Sequence, residues 1–399
     1  MEHKDLPFFS IVIPTKNRPN YLRDSIQSVL LQNSDDYELI VSDNFNEQAT
    51  QDVINEFKDH PRFNSIRTSE ELNMINHWEF ATLKAKGKYV ILLADRKMLY
   101  QGALKKIKSE IDNHPDINAF SFGIKVYNDE ENKMGWDVPS RKTQIIKSKD
   151  LIQNFLSTNY YTSDSLDAIF PKTLNGCYKN EIAQKARDIS GHYFNNENVT
   201  TPDYSSLFIN LALAEKQMYI CEKLMLWQGE STSNGRQFGA GKVKAYMDSL
   251  GITDPYAQVL IKAPIIYNLL IADFLRIKSI YGGNLQEAEI DLDNYFTTNY
   301  WDILQKKKLN IDAEDFNYFN DAFEKSYKDN ATSLSSFSKE AVEARFHNPV
   351  QAKKFDKVRN LKAHLKDFVS HRLPNNKMAH NALKINYKSG LEAAGFKIK

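Results

Sequence analysis

A single carboxylate, Asp95, emerges at the end of the apolar run Tyr89, Val90, Ile91, Leu92 and Leu93, and two cations, Arg96 and Lys97, follow at once. A carboxylate at the carboxyl end of a buried strand is well placed to hold a metal ion or a polar ligand. Asn17 follows the β-branched and aromatic run FFSIVIP (8–14), and Asp43 closes YELIVSD (37–43). Three polar groups just past three strand ends converge on one site if those strands run side by side in the same direction. Open α/β sheets bind ligands at that edge.

The elements that must position these groups are legible as alternating periods. After the first strand, Asn17 is a candidate N-cap, Pro19 suits a first helical turn, and Leu22, Ile26, Val29 and Leu30 fall on one helix face. Helices are expected at 50–57, about 76–86 and from Gly102 through Ile111, and strands at 62–68 and 117–124. Such alternation predicts a mostly parallel sheet covered on both faces. Residues 126–240 are less regular: a hairpin or loop at VYNDEENKMGWD, helices near 149–157, 178–189 and 204–216, and a strand at 218–227. GESTSNGRQFGAGK (229–242) reads as a loop or boundary. Beyond it the apolar spacing is helical, so the chain divides into an α/β part, 1–240, and a helical part, 241–399.

The 399 residues carry a net charge of +1, which gives no bulk electrostatic case for nucleic acid. The last 49 residues nevertheless hold twelve Lys or Arg against three Asp or Glu. Such a tail suits an anionic surface such as a membrane face, or equally a solvated helix. Two cysteines are too few for a disulfide framework and form no C-x-x-C pair. No H-E-x-x-H or G-x-S-x-G occurs, and no stretch approaches the roughly 18 apolar residues of a spanning helix. The charged start, MEHKDLPFF, lacks the pattern of a signal peptide. The expectation is a cytoplasmic protein, peripheral at the inner face of a membrane through its basic C-terminal helices.

SIVIPTKNRPNYLRDSIQSVLLQ, YELIVSDN and GKYVILLADRKMLYQGAL, in that order, resemble successive blocks of a family-2 glycosyltransferase of bacterial surface-polysaccharide type. The resemblance is strong over residues 8–113, looser to about 235 and absent from the helical tail. It implies a GT-A fold, Rossmann-like, with a nucleotide-sugar donor and a glycan or lipid-linked acceptor. By resemblance Pro14, Thr15 and Asn17 line the nucleotide pocket, and Asp43 accepts a hydrogen bond from a uracil or thymine imide, for which a carboxylate is suited. Where the family usually has a second acid, this chain has Asn44, Phe45 and Asn46. Arg67, Asn73 and Asn76 are further candidates for nucleotide or diphosphate contact.

Family members typically end the fourth strand with Asp-x-Asp, whose carboxylates hold Mg2+ or Mn2+ against the diphosphate as a Lewis acid. Here Ala94, Asp95, Arg96 and Lys97 span that motif, and one acid remains. Three readings follow: Asp95 holds the metal with water and substrate oxygens; Arg96 or Lys97 pairs with the diphosphate directly; or the protein is a non-catalytic sugar-nucleotide-binding or assembly subunit.

In inverting family members an acid near the block ENVTTPDYSS (197–206) deprotonates the acceptor hydroxyl, and Asp203 is the choice, with Glu197 in reserve. Asp203 also suits a helix cap. His192, Asn175, Gly176 and Ser231 to Gly235 are candidates for the acceptor side. Trp78 and Trp136 are candidates for stacking on a sugar, against a plain core role. The resemblance thus implies an inverting hexosyltransferase of surface-glycan synthesis. A nucleotidyltransferase shares the alternating pattern but lacks a Gly-rich, Lys-containing phosphate loop after the first strand. The tail's partner is a membrane, another protein or a second copy of the chain.

Overall fold

The computed structural model describes residues 6–45, 47–128, 133–137, 142–158, 169–194, 198–228, 247–248, 250–252, 254–348, 392 and 394–396. Strand and helix alternate first: β1 (Phe9–Thr15), α1 (Pro19–Leu30), β2 (Tyr37–Asp43), α2 (Gln48–Asn55), β3 (Phe63–Arg67), α3 (Met74–Thr82) and β4 (Tyr89–Leu92). The short β5 (Lys97–Leu99), α4 (Ala103–Asn113), β6 (Ala119–Asn128) and β7 (Lys133–Asp137) follow. Then come β8 (Gln144–Lys147), α5 (Ser148–Ser157), β9 (Gly176–Lys179), α6 (Asn180–Ser190), α7 (Pro202–Leu213) and β10 (Lys216–Trp227). The described remainder is helical: α8 (Ile266–Tyr281), α9 (Leu292–Lys308), α10 (Ala313–Asn330) and α11 (Lys339–His347).

One mixed sheet runs β3-β2-β1-β4-β9-β6-β10-β5, with β7 on β6 and β8 on β10. β1, β2, β3 and β4 are mutually parallel, as the alternating pattern requires. The chain moves to one side of β1 for β2 and β3 and to the other for β4, so the strand order reverses between β1 and β4. That is where open sheets place ligands. The β1–β4 pairing ends at Val12 and Leu92, two residues before Pro14. Pro14 has no N–H to contribute to that ladder, so the two strands part there without losing a bond.

Both faces of β1 are buried, which explains its continuous apolar run. Phe9, Ile11 and Ile13 pack with Leu22, Ile26 and Val29 of α1 and with Ile107 and Ile111 of α4. Each of the three α1 side chains, fully buried, contributes about 2 kcal/mol. Val12 faces the other way, into a cluster that continues through α3, α5, α6, α7 and α8 to Phe323 and Val342. The C-terminal helices therefore share one core with the back of the sheet. We keep the division of the chain at residue 240 as a proposal about its organisation.

Several local expectations change. Arg18, not Asn17, occupies the N-cap of α1; Asn17 is left-handed at φ 51° and accepts a bond from the Glu47 N–H at 3.0 Å. The helix expected from 178 starts at Asn180, because Gly176–Lys179 enters the sheet as β9, antiparallel to both β4 and β6. A Cβ on Gly176 would collide with the Phe120 carbonyl oxygen, so this insertion needs glycine. The helix expected at 204–216 runs from Pro202 to Leu213 with Thr201 as its N-cap, so Asp203 is inside the first turn rather than the cap. Near the chain end, Ala394 and Phe396 pack with Met98, Tyr127 and Leu226, and the Gln101 N–H donates to the Ala394 carbonyl. Among the described residues no helix is long and apolar enough to cross a membrane. Glu197, Ser231 to Gly235 and the basic segment 351–391 lie outside the described residues.

Candidate active site

The parallel register sets Thr15, Asp43 and Arg67 in one row at the carboxyl ends of β1, β2 and β3. Asp95 lies across the β1–β4 gap, in the tight turn closed by the Lys97 N–H on the Ala94 carbonyl at 2.8 Å. This turn is held from the buried face of α1. Ser25 Oγ sits between the carbonyl oxygens of Asp95 (2.8 Å) and Lys97 (2.6 Å), and Ser28 Oγ accepts from the Leu99 N–H. Small hydroxyl residues on an otherwise apolar helix face thus fix the backbone on which Asp95 stands.

The Asp95 side chain is 3% exposed. Thr15 Oγ1 donates to Oδ2 at 3.0 Å, Arg18 Nη1 meets Oδ1 at 3.3 Å, and the Lys16 backbone N–H also donates to the carboxylate. Burial pushes its pKa above the ordinary carboxylate value; Arg18, the Thr15 bond and Arg96 pull the other way. Arg18 was not among the residues singled out in the sequence. Its side chain is 34% exposed, so it bridges the buried carboxylate and solvent.

The two cations next to Asp95 have different surroundings. Lys97 is buried in β5; its ammonium donates to the Leu174 carbonyl at 2.7 Å and lies 5.5 Å from the Trp227 ring centre. It acts as a strut between the Asp95 turn and the 3-10 turn Thr173–Asn175. Arg96 is half-buried, and its carbonyl accepts from the Gln228 N–H at 3.0 Å.

On the nucleotide side, Asp43 is buried, with Arg67 Nη1 3.3 Å from Oδ2 and Gln51 Nε2 donating to the same oxygen. The Arg67 guanidinium also lies 5.2 Å from the ring centre of Phe45, which is 53% exposed and left-handed at φ 56°. Beneath this row His77 Nε2 shares a hydrogen bond with Ser42 Oγ at 2.9 Å, and burial lowers its pKa to about 4. Asn44 is tied on both amide atoms to the backbone of Leu72. Asn73 caps α3 by accepting from the Asn76 N–H, so the structure puts its side-chain oxygen to a local use.

The other half of the site hangs on tertiary bonds. Asn175 is buried and donates to the Phe170 carbonyl at 3.2 Å. Thr173 meets Ser206 Oγ at 3.0 Å, and Ser206 Oγ donates to the Asp203 carbonyl at 2.7 Å. Lys97, the 3-10 turn and the first turn of α7 are therefore linked in series, which couples Asp203 to the Asp95 turn. From α8, the fully buried Asp273 accepts from the backbone N–H groups of Thr200 and Thr201 and from both hydroxyls. It fixes the entry to α7, directly before Pro202 and Asp203. His192, by contrast, is exposed after α6, its carbonyl bonded by Tyr281 Oη and Ser190 Oγ. Trp78 packs edge-on against Phe194 in the core, the plain role weighed for it.

A hard divalent cation takes about six oxygen ligands. Among the described residues there is no group of three His, Cys, Asp or Glu side chains able to hold one. Asp95 already directs both carboxylate oxygens at protein donors, one of them a cation. This donor set fits Mg2+ or Mn2+ poorly.

Residues 10–170 match the family described as glycosyl transferase family 2. Among solved structures, the chain is similar to S. aureus TarS 1–349 in complex with UDP-GlcNAc, at 12% identity and a TM-score of 0.50, covering 92% of this chain and 94% of that one. It is also similar to the mannosyltransferase PcManGT from Pyrobaculum calidifontis in complex with GDP-Man and Mn2+, at 12% identity and a TM-score of 0.44, covering 91% and 86%. The fold is GT-A: a mixed, mostly parallel sheet flanked by helices, followed by a helical C-terminal region.

Proposed function

We propose that this chain, a family-2 glycosyltransferase by its residues 10–170, is an inverting enzyme that moves a sugar from a UDP- or dTDP-sugar to a hydroxyl of a surface glycan or a lipid-linked acceptor. The observation that carries the reading is the row Thr15, Asp43 and Arg67 at three parallel strand ends, with Asp95 across the β1–β4 gap. On this reading Asp43 accepts from the pyrimidine imide, Pro14, Thr15 and Asn17 shape the pocket floor, and Arg67 and Arg96 face the phosphates. Asp203 takes the proton of the acceptor hydroxyl as its oxygen bonds to the anomeric carbon. The bond from that carbon to the diphosphate breaks, and the nucleoside diphosphate leaves with the electron pair. Geometry rather than basicity makes such a carboxylate effective. Asn175 and His192 are proposed for the acceptor side. Location at the inner membrane face through the basic tail, with the lipid-linked acceptor, belongs to the same proposal.

Turnover on a panel of UDP- and dTDP-sugars, read as nucleoside diphosphate release, tests this. Asp203→Asn is expected to lower turnover by about 10^2- to 10^4-fold while UDP binding stays within about twofold. The lone acid of the β4–β5 turn favours a second reading, a non-catalytic sugar-nucleotide-binding subunit. Retained UDP binding without release from any donor would select that one.

A further inference from the structure

The β4–β5 turn sits where a metal-dependent enzyme would gather carboxylates, yet its surroundings are cationic. Asp95 supplies one negative charge. Against it stand the Arg18 guanidinium at 3.3 Å and Arg96, whose charge also acts on the carboxylate. Helix α1 begins immediately after Arg18 with no side-chain cap, which adds positive potential at the same end. For Asp95 to serve a metal, a cation would have to enter beside Arg18, and the carboxylate would have to give up donors that it already accepts. A neighbouring positive charge and the burial of the group both oppose that exchange.

We infer that Asp95 is a post for Arg18 rather than a metal ligand, and that Arg18 binds the donor diphosphate without a divalent cation. This inference rests on the sugar-nucleotide reading above and names how that site holds its anion. A guanidinium carries five N–H donors in a fixed plane. One side of Arg18 meets Asp95 through Nη1, and about a third of the side chain is open to solvent. The open donors match phosphate oxygens in geometry and charge. The buried carboxylate orients the guanidinium in advance and lowers the entropy lost when the anion arrives. The position explains why Arg18 and Asp95 are 77 residues apart in sequence but paired in space: one follows β1, the other β4, on the two sides of the gap. The adjacent Lys16 ammonium, paired with the exposed Glu71 at 2.5 Å, adds charge at the rim.

Calorimetric titration of the full chain with UDP, dTDP and UMP, in EDTA and in millimolar Mn2+, tests the inference by binding alone. The expected result is a UDP or dTDP affinity that changes less than about twofold between the two conditions. Arg18→Gln is expected to weaken the diphosphates about tenfold or more and UMP by less than threefold, as the loss of a charge-assisted contact to phosphate predicts. Arg18→Lys keeps the charge and recovers part of the loss, which separates binding from misfolding, and the melting temperature of each variant is recorded alongside. Diphosphate binding that appears only with Mn2+, or that is unchanged in Arg18→Gln, overturns the inference and leaves the sugar-nucleotide reading standing. No binding of either nucleoside diphosphate in either condition overturns both.

Discussion

Thr15, Asp43 and Arg67 stand in line because three parallel strands pair in register, and each is reached within one strand length of a core position. Asp203 is held differently. Its helix is entered through Thr200 and Thr201, which hang on Asp273 from α8, and it is braced through Ser206 and Thr173 toward Lys97. The donor half is thus set by backbone ladders, and the half carrying Asp203 by a few polar side chains in apolar surroundings. A ladder tolerates the loss of any one side chain. A clamp of single side chains does not, because each removal strands several buried donors.

The largest effect is therefore expected at Asp273. Replacing it with alanine leaves two backbone N–H groups and two hydroxyls without their acceptor and removes the carboxylate beside Arg276. A stability loss of about 3–5 kcal/mol is expected, measured by urea unfolding. At a temperature where the variant stays folded, turnover should drop while UDP affinity changes little, since the row Thr15, Asp43 and Arg67 is set by the β1–β2–β3 ladders and not by Asp273. An equal loss of UDP affinity would mean that the two halves are not separable, and the comparison would fail.

What could be read in advance follows the same division. The continuous apolar runs and the helical spacing placed Asp43 and Asp95 at the right strand ends and α1 with the right buried face, because those patterns are the direct imprint of burial. Asn17 was the expected cap, but a proline at the first turn moved the cap to Arg18, and with it the side chain that meets Asp95. Strands β5 and β9 are three and four residues long, and antiparallel pairing with distant strands sets them, so no local period announces them. In the sequence Asp273 is a lone charge in the apolar run APIIYNLLIADFL (263–275). Its partners are 72 and 73 residues away, a separation that composition and spacing do not encode.

Two histidines sharpen the contrast at smaller scale. His77 is buried under the donor row against Ser42, whereas His192 is exposed on the far segment. Burial is the main cause that holds His77 near a pKa of about 4, with the Lys16 charge acting in the same direction and the Ser42 bond against it. The unfolded chain takes up a proton near pH 6.5 that the native state refuses. The native advantage is present above that pH, is lost as pH falls toward 4, and changes no further below it. About 3 kcal/mol is the scale of this loss. The difference in unfolding free energy between wild type and His77→Gln, followed from pH 7 to pH 4.5, should shrink or reverse by that scale. Parallel curves for the two proteins would show that His77 does not carry the acid sensitivity.

The smallest predicted effect tests whether the donor face is shaped for a base or only packed. Phe45 is half exposed, left-handed at φ 56°, and stacked under Arg67 beside Asp43. A large non-glycine residue in that conformation costs on the order of 1–2 kcal/mol, and its exposure recovers little of that through burial. Glycine would relieve the strain and forfeit a cation–π contact worth about 0.5–1 kcal/mol at an exposed position. Phe45→Gly should therefore be as stable as wild type or more so, by up to about 1 kcal/mol in thermal unfolding. If the ring serves as a platform for the pyrimidine, the same variant binds UDP about three- to tenfold more weakly, the low end of aromatic–base stacking. A more stable protein that holds the nucleotide less well is the signature of strain kept for binding. If instead UDP affinity is unchanged and stability falls, Phe45 is a packing residue, and nucleotide recognition in this half rests on the strand-end row alone.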